Sequence, residues 1–269
     1  MATSSTHTHV VSDAALLNDV EMILNGAFAP LSGFMTADDY ASVLDRMTLR
    51  DDSPFPVPIV YPVAPDSSVA PGDVVRIMNP SRQHLATLTV SDAWTPDLDA
   101  EWTAVFGRSD GNHPYVAAFR SKFPEGAKYL GGRLVPGPDG FDHFYGAEWR
   151  ATPAAMRERL ASTLPPGTPV VGFQTRNPLH NCHLELMRRA LRAVPNGVLL
   201  LQPIVGTTQP GDVPPDVRLA CYREAVAMFP TGKVVLNILP LAMRMAGPRE
   251  AVWHAIIRRN YGCTHFVVG

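Results

Sequence analysis

From about residue 150 onward the chain alternates between two patterns. Short apolar runs, Pro169-Val-Val-Gly-Phe173, Gly197-Val-Leu-Leu-Leu201, Val234-Val-Leu-Asn-Ile238 and His265-Phe-Val-Val268, are separated by stretches of helical periodicity near 179–194, 215–229 and 248–260. The order is β-α-β-α-β-α-β. Strands that are apolar on both faces fit a parallel sheet covered by helices, so this half reads as an α/β domain. Ligands of such open sheets bind beyond the carboxyl ends of the strands, which directs attention to the residues after Phe173, Leu201, Ile238 and Val268.

The first half has another texture. Residues 1–11 are small and polar without periodicity and read as a loose tail. Ser12 or Asp13 then caps a helix through about Leu24, with Leu16, Leu17, Val20, Ile23 and Leu24 on one stripe. From Asn25 to about Gly146 Gly and Pro are dense, and short runs such as Pro58-Ile-Val-Tyr61, Asp73-Val-Val-Arg-Ile77 and Leu85-Ala-Thr-Leu-Thr-Val90 predict a small β-rich domain. The expected division is 1–150 and 151–269.

Composition narrows the classes of function. Of 269 residues 46% are hydrophobic and 18% charged, the balance of a globular chain. The net charge is −2, with basic residues spread along the chain, so there is no broad positive field to recruit nucleic acid or an anionic membrane. Any anion has to be held by a local site. Cys182, Cys221 and Cys263 form no CxxC pair and read as reduced thiols. The opening residues lack a targeting pattern, and no apolar run approaches the roughly eighteen residues that span a bilayer. The expectation is a cytoplasmic protein with no membrane or nucleic-acid partner.

The densest chemistry lies in Gln174-Thr-Arg-Asn-Pro-Leu-His180-Asn-Cys-His183, which follows the first strand of the α/β half and opens a helix. Backbone N–H groups and the positive helix end favour an anion there. Arg176 offers a planar fork for phosphate or sulfate oxygens, Gln174 and Asn177 supply neutral hydrogen bonds, and Pro178 suits a first helical turn. His180 and His183, three residues apart, project from one face and can reach the same phosphate. A surface or structural role for the pair stays open, and so does zinc, which would need a third ligand and more often a four-residue spacing. Arg, Asn, Gln and two His converging on one βα turn favour phosphate.

The run QTRNPLHNCHLELMRRA resembles the signature of the ATP sulfurylase (sulfate adenylyltransferase) family, within the wider HxxH group of α/β nucleotidyltransferases. PIVGTTQPGDVPPDVRLACY at 203–222, LPLAMRMAGPREAVWHAIIRRNYGCTHFVVG at 239–269 and GAFAPLSGFM at 26–35 extend the resemblance over nearly the whole chain. It implies a PUA-like β-rich domain before a Rossmann-like nucleotidyltransferase domain. The implied reaction is attack of sulfate on the α-phosphorus of MgATP, giving adenosine 5′-phosphosulfate and pyrophosphate without a covalent enzyme intermediate. By the same resemblance Thr175, Arg176, Asn177, His180 and His183 are catalytic, and Gln174 and Arg176 hold sulfate. ATP then meets Gln174, Thr175, Arg176, Asn177 and Gly269. Mg²⁺ arrives with the nucleotide and no protein ligand is assigned to it. ATP and sulfate are the implied partners, and a homo-oligomer is compatible with the sequence.

Other features carry less. Asp212 is a weak candidate within a Gly- and Pro-rich turn, and Arg244 and Arg249 could face phosphate but stay outside the site. Phe28 and Phe34 read as packing and not as a base-stacking platform, because no basic patch accompanies them. His113 matches the family without showing a role.

Members of the family continue past the glycine corresponding to Gly269 with an Arg-Asp-His-Ala-Gly run that helps to bind sulfate and ATP. The resemblance therefore implies that a polypeptide ending at Gly269 has an incomplete catalytic domain and turns over little sulfate. Pyrophosphate release dependent on sulfate and MgATP at a rate typical of the family would refute that. Two alternatives remain: nucleotidyl transfer to a larger acceptor, and a truncated or degenerate homologue that binds nucleotide or a partner without turnover.

Overall fold

The computed structural model describes residues 4–143, 146–206, 211 and 213–268. It divides into two compact units, one of Met1–Leu24, Phe28–Phe141 and Arg244–Ile256, the other of Asn25–Ala27, Asp142–Met243 and Ile257–Gly269. A single cut at 150/151 would assign 244–256 to the second unit, whereas the structure groups it with the first.

In the first unit the expected loose tail contains a strand. β1 (Thr6–Val10) runs parallel to β4 (Val74–Met78), with Thr6 opposite Val74 and Val10 opposite Met78. Its half-buried positions are histidines, so no apolar alternation announces it. His7 Nε2 lies 3.1 Å from the Asp73 carboxylate and His9 Nδ1 lies 3.1 Å from the Tyr61 hydroxyl. Polar pairs do here what valines do elsewhere.

Helix α1 (Ala14–Leu24) starts where Asp13 accepts the amide of Ala15, and it buries Leu16, Val20, Met22 and Ile23. The strands β2 (Gly33–Phe34), β3 (Tyr61–Val63), β5 (His84–Trp94) and β6 (Lys128–Pro136) complete a sheet ordered β1-β4-β5-β6-β2, with β3 also paired to β6. A Cβ on Gly33 would sit 2.0 Å from the carbonyl oxygen of Gly132, which explains why this position of the GAFAPLSGFM run takes glycine. Phe28 and Phe34 are buried, as the packing role requires.

The Gly- and Pro-dense texture concealed three helices, α2 (Ala37–Arg46), α3 (Leu98–Phe106) and α4 (Pro114–Lys122). Each is short enough to be read as loop, and each has a side-chain cap, from Thr36, Asp97 and His113 respectively. His113 thus acquires a structural role: its Nδ1 accepts the amide of Tyr115, and its Nε2 lies 3.1 Å from the carbonyl of Met245.

Segment 244–256 belongs to this unit for equally specific reasons. The Arg244 guanidinium donates to the Asp19 carboxylate with both side chains buried. Arg249 donates to the carbonyls of Val43, Leu44 and Pro56. Trp253 packs on Phe28 with ring centroids 5.1 Å apart. Both arginines left open by the sequence are committed to architecture.

The second unit is built on a parallel sheet ordered β10-β7-β8-β9, from β7 (Val170–Thr175), β8 (Val198–Pro203), β9 (Val234–Leu236) and β10 (His265–Phe266). Helices α5 (Pro153–Thr163), α6 (Asn181–Ala193), α7 (Pro215–Ala227) and the end of α8 (Gly247–Asn260) accompany it. Leu199, Leu200 and Leu201 are all fully buried, so β8 is apolar on both faces. Phe173, Leu199, Leu201, Val234 and Leu236 form one core with Leu184 and Met187 of α6 and Leu219 and Tyr222 of α7. The other face is polar toward its carboxyl end, where Gln202 donates to Asn237 at 2.9 Å and Arg258 passes over Gly172. Strand order reverses between β7 and β10, which places the crevice of the sheet at the carboxyl end of β7. Among the described residues no helix is long and apolar enough to cross a membrane.

The Asp19–Arg244 pair gives a test of the first unit. Burial pushes the Asp19 carboxyl up to about 6, against the opposing pull of Arg244. Arg244→Met leaves that carboxylate unpaired and is expected to cost about 3–5 kcal/mol at pH 7 in urea denaturation. A carboxyl raised in the folded state stabilises most when protonated, so the deficit of the variant should shrink as the pH falls from 7 toward 4. A deficit independent of pH would contradict this assignment.

Candidate functional site

Everything singled out around Gln174 leaves the carboxyl end of β7 at the switch point of the sheet. Gln174 is half-buried opposite Gln202 of β8, and Thr175 is buried opposite Pro203. Thr175 then closes the turn on itself. Its Oγ1 donates to the carbonyl of Asn177 and accepts the amide of Asn177, both at 3.1 Å. That is the hydroxyl-backbone bond by which Ser and Thr hold turns. Arg176 is half-buried and Asn177 exposed.

The helix opens later than the sequence suggests. Pro178 is not in the first turn of α6; the N-cap is His180 and the helix begins at Asn181. Leu179 and Leu184, at the positions of a hydrophobic staple on either side of the cap, both pack on the core of the unit and fix the angle of entry. Two histidines replace the usual Ser and Glu of a reciprocal cap. His180 Nδ1 accepts the amide of Cys182 at 3.3 Å, and His183 Nδ1 accepts the amide of His180 at 3.4 Å.

This cap settles the tautomers. A ring nitrogen that accepts an N–H carries no proton, so in the neutral rings the proton sits on Nε2 of both histidines. The rings lie 4.1 Å apart between centroids, tilted by 52°, so the two Nε2–H donors belong to neighbouring rings at the helix end. The amides of Cys182, His180 and Asn177, which a bare helix end would offer an anion, are already engaged. Arg176 and the two imidazoles stand beside these engaged amides as candidate side-chain donors. Burial, and then the neighbouring His180, lower the His183 pKa, which favours its neutral form at pH 7.

Beneath the turn lie two residues that the sequence reading passed over. Arg218, 1% exposed, donates from Nη1 to the carbonyls of Arg176 and Ile204, each at 2.8 Å. The Tyr222 hydroxyl donates to the carbonyl of Asn177 at 3.0 Å. Their signal was present: an Arg and a Tyr four apart on the inner side of a helix whose neighbours are apolar.

Gly269 and Asp212 lie outside the described residues, as do 207–210 of the second loop. Among the described residues no group of three or more His, Cys, Asp or Glu could hold a metal ion. Cys182 is exposed, Cys221 half-buried and Cys263 buried, and none is in a disulfide.

In sequence order a β-rich unit precedes a parallel α/β sheet that carries the His-x-x-His turn at its switch point. Residues 2–135 match the model of the PUA-like domain and residues 147–269 that of ATP-sulfurylase. Residues 147–269 thus belong to the ATP-sulfurylase domain family. It is similar to the sulfate adenylyltransferase of Schizosaccharomyces pombe, 42% identical over 93% of this chain and 51% of that protein. That of Eremothecium gossypii is 43% identical over 95% of this chain and 50% of that protein. The chain thus spans about half the length of the curated relatives it matches. Among solved structures, the hexameric APS kinase from Thiobacillus denitrificans superposes with a TM-score of 0.76 over 98% of this chain and 48% of that one. At 24% identity this likeness speaks to the fold alone.

The histidine cap predicts a titration. In an NMR titration His183 should show a midpoint below 6.5, and His180→Ala should move it up by removing the neighbouring charge. A histidine whose pKa is lowered by folding destabilises the fold on protonation, so the stability it contributes is lost as pH falls below 6.5. A midpoint at or above 6.5 would contradict the capped, neutral state.

Proposed function

We propose that the protein catalyses adenylyl transfer from MgATP to sulfate, giving adenosine 5′-phosphosulfate and pyrophosphate. The observation that carries this reading is the set of Arg176 and two Nε2–H donors at the carboxyl end of β7, in a chain 42% identical to a sulfate adenylyltransferase.

A sulfate oxygen forms the new bond to the α-phosphorus while the bond from that phosphorus to the bridging oxygen breaks. The electron pair leaves with pyrophosphate. Sulfate is ionised at neutral pH, so no general base is needed, and catalysis consists of positioning and neutralising charge. Gln174 and Arg176 hold sulfate, the guanidinium matching two oxygens of a tetrahedral anion. Thr175 shapes the turn, and Asn177 faces the nucleotide with Arg176. His180 and His183 donate from Nε2 to the phosphate oxygens on which charge accumulates as pyrophosphate departs. Gly269 is proposed as a further ATP contact. Mg²⁺ enters as part of the substrate, held largely by phosphate and water.

The test is sulfate-dependent release of pyrophosphate from MgATP by the full-length gene product, with phosphopantetheine and nicotinamide mononucleotide as competing acceptors. His183→Ala and Arg176→Ala should each lower kcat by roughly 10²–10³, the range seen when one preorganised donor is lost. Nucleotide binding without turnover would favour a degenerate homologue. Release that depends on a larger acceptor would replace sulfate as the substrate.

A further inference from the structure

We propose that Arg218 and Tyr222 are positioning residues that set the anion-binding turn through its carbonyl oxygens. This inference rests on reading the turn after β7 as the site of nucleotide and sulfate.

Helix α7 places the two side chains one turn apart on the same face. Both are buried to within 1% of complete burial, beneath the sheet's carboxyl edge. Arg218 takes the carbonyl of Arg176, Tyr222 that of Asn177, so consecutive carbonyls of the turn are both drawn toward α7. The same Nη1 of Arg218 also takes the carbonyl of Ile204, just past β8, and so ties the start of the second loop to the first. Asn177 receives a second donor from Thr175 Oγ1, its amide returns to that oxygen, and Pro178 has no N–H to place.

Two consequences follow for an anion above the turn. A carbonyl oxygen carries partial negative charge, and turned outward it would repel phosphate or sulfate. Held by a guanidinium and a phenol, these two face the protein. Fixing both carbonyls also fixes the backbone from which the Arg176 side chain departs, so that its guanidinium is aimed before the ligand arrives. A buried arginine that merely filled space would have no reason to join two loops at the ends of adjacent strands. Nor would satisfaction of the core require a tyrosine one turn later on the next carbonyl.

The test uses Tyr222→Phe, which removes only the hydroxyl, and Arg218→Lys, which keeps the charge but not the fork. Amide hydrogen exchange over residues 174–183 and calorimetric affinity for MgATP and for pyrophosphate are measured on the full-length gene product, together with kcat and KM. In Tyr222→Phe exchange in the turn should rise and affinity for both ligands should fall by about three- to tenfold, the scale of one lost hydrogen bond. The thermal midpoint should change little, and Arg218→Lys should show the same pattern more strongly. Faster exchange with unchanged affinity would make the contacts merely structural and overturn the proposal. So would reduced affinity with unchanged exchange. If the unsubstituted protein binds neither ligand, the reading of the site falls and the proposal with it. If it binds and Tyr222→Phe binds equally well, only the proposal falls.

Discussion

Two carbonyl oxygens, those of Arg176 and Ile204, receive the same nitrogen of a guanidinium that is 1% exposed. The loops they belong to leave adjacent parallel strands at the edge where the sheet can accept a ligand. A buried cation in that position is costly unless it is hydrogen-bonded, and here it is bonded to the backbone of the candidate site itself. The turn after β7, the start of the loop after β8 and helix α7 are therefore one connected piece of structure. The histidine cap of α6 extends it, because His180 and His183 are oriented by amides of the same turn-to-helix passage.

Arginines bonded to backbone or carboxylate do different work in the two units. In the first, Arg244 neutralises Asp19 and Arg249 collects the carbonyls of Val43, Leu44 and Pro56. Both hold segment 244–256 against the unit to which it belongs in space although not in sequence. In the second, Arg218 holds backbone that leads directly to the candidate anion donors. Residue type alone does not separate these roles, since each arginine sits in or next to a helix opening. What distinguishes them is where the bonded carbonyls lead.

Much of the second unit was legible because its strands are apolar on both faces, a pattern that few other elements produce. All four strands and three helices were readable, and the turn from Gln174 to His183 was located by the change from apolar run to polar cluster. The start of α6 was misplaced because Pro178 is acceptable both in a first turn and before a cap, and histidine is not a usual N-cap. The first unit was less legible. β1 was read as a tail because its inward positions are His7 and His9, paired with Asp73 and Tyr61. Helices α2, α3 and α4 lay hidden among glycines and prolines. Arg218 and Tyr222 are marked in the sequence only as an Arg and a Tyr four apart among the apolar positions of α7; the carbonyls they bond leave no signature there.

In the proposed reaction the HxxH turn meets phosphate through imidazole Nε2–H and the Arg176 guanidinium, with the carbonyls of the turn facing inward. A crystal structure of the protein with bound adenosine 5′-phosphosulfate and pyrophosphate tests it most directly. It should show phosphate oxygens within hydrogen-bonding distance of Nε2 of His180 and His183, Arg176 on the sulfate or α-phosphate, and the carbonyls of Arg176 and Asn177 still on Arg218 and Tyr222. Ligand bound elsewhere, or bound at this turn through Nδ1 with the cap undone, would contradict it.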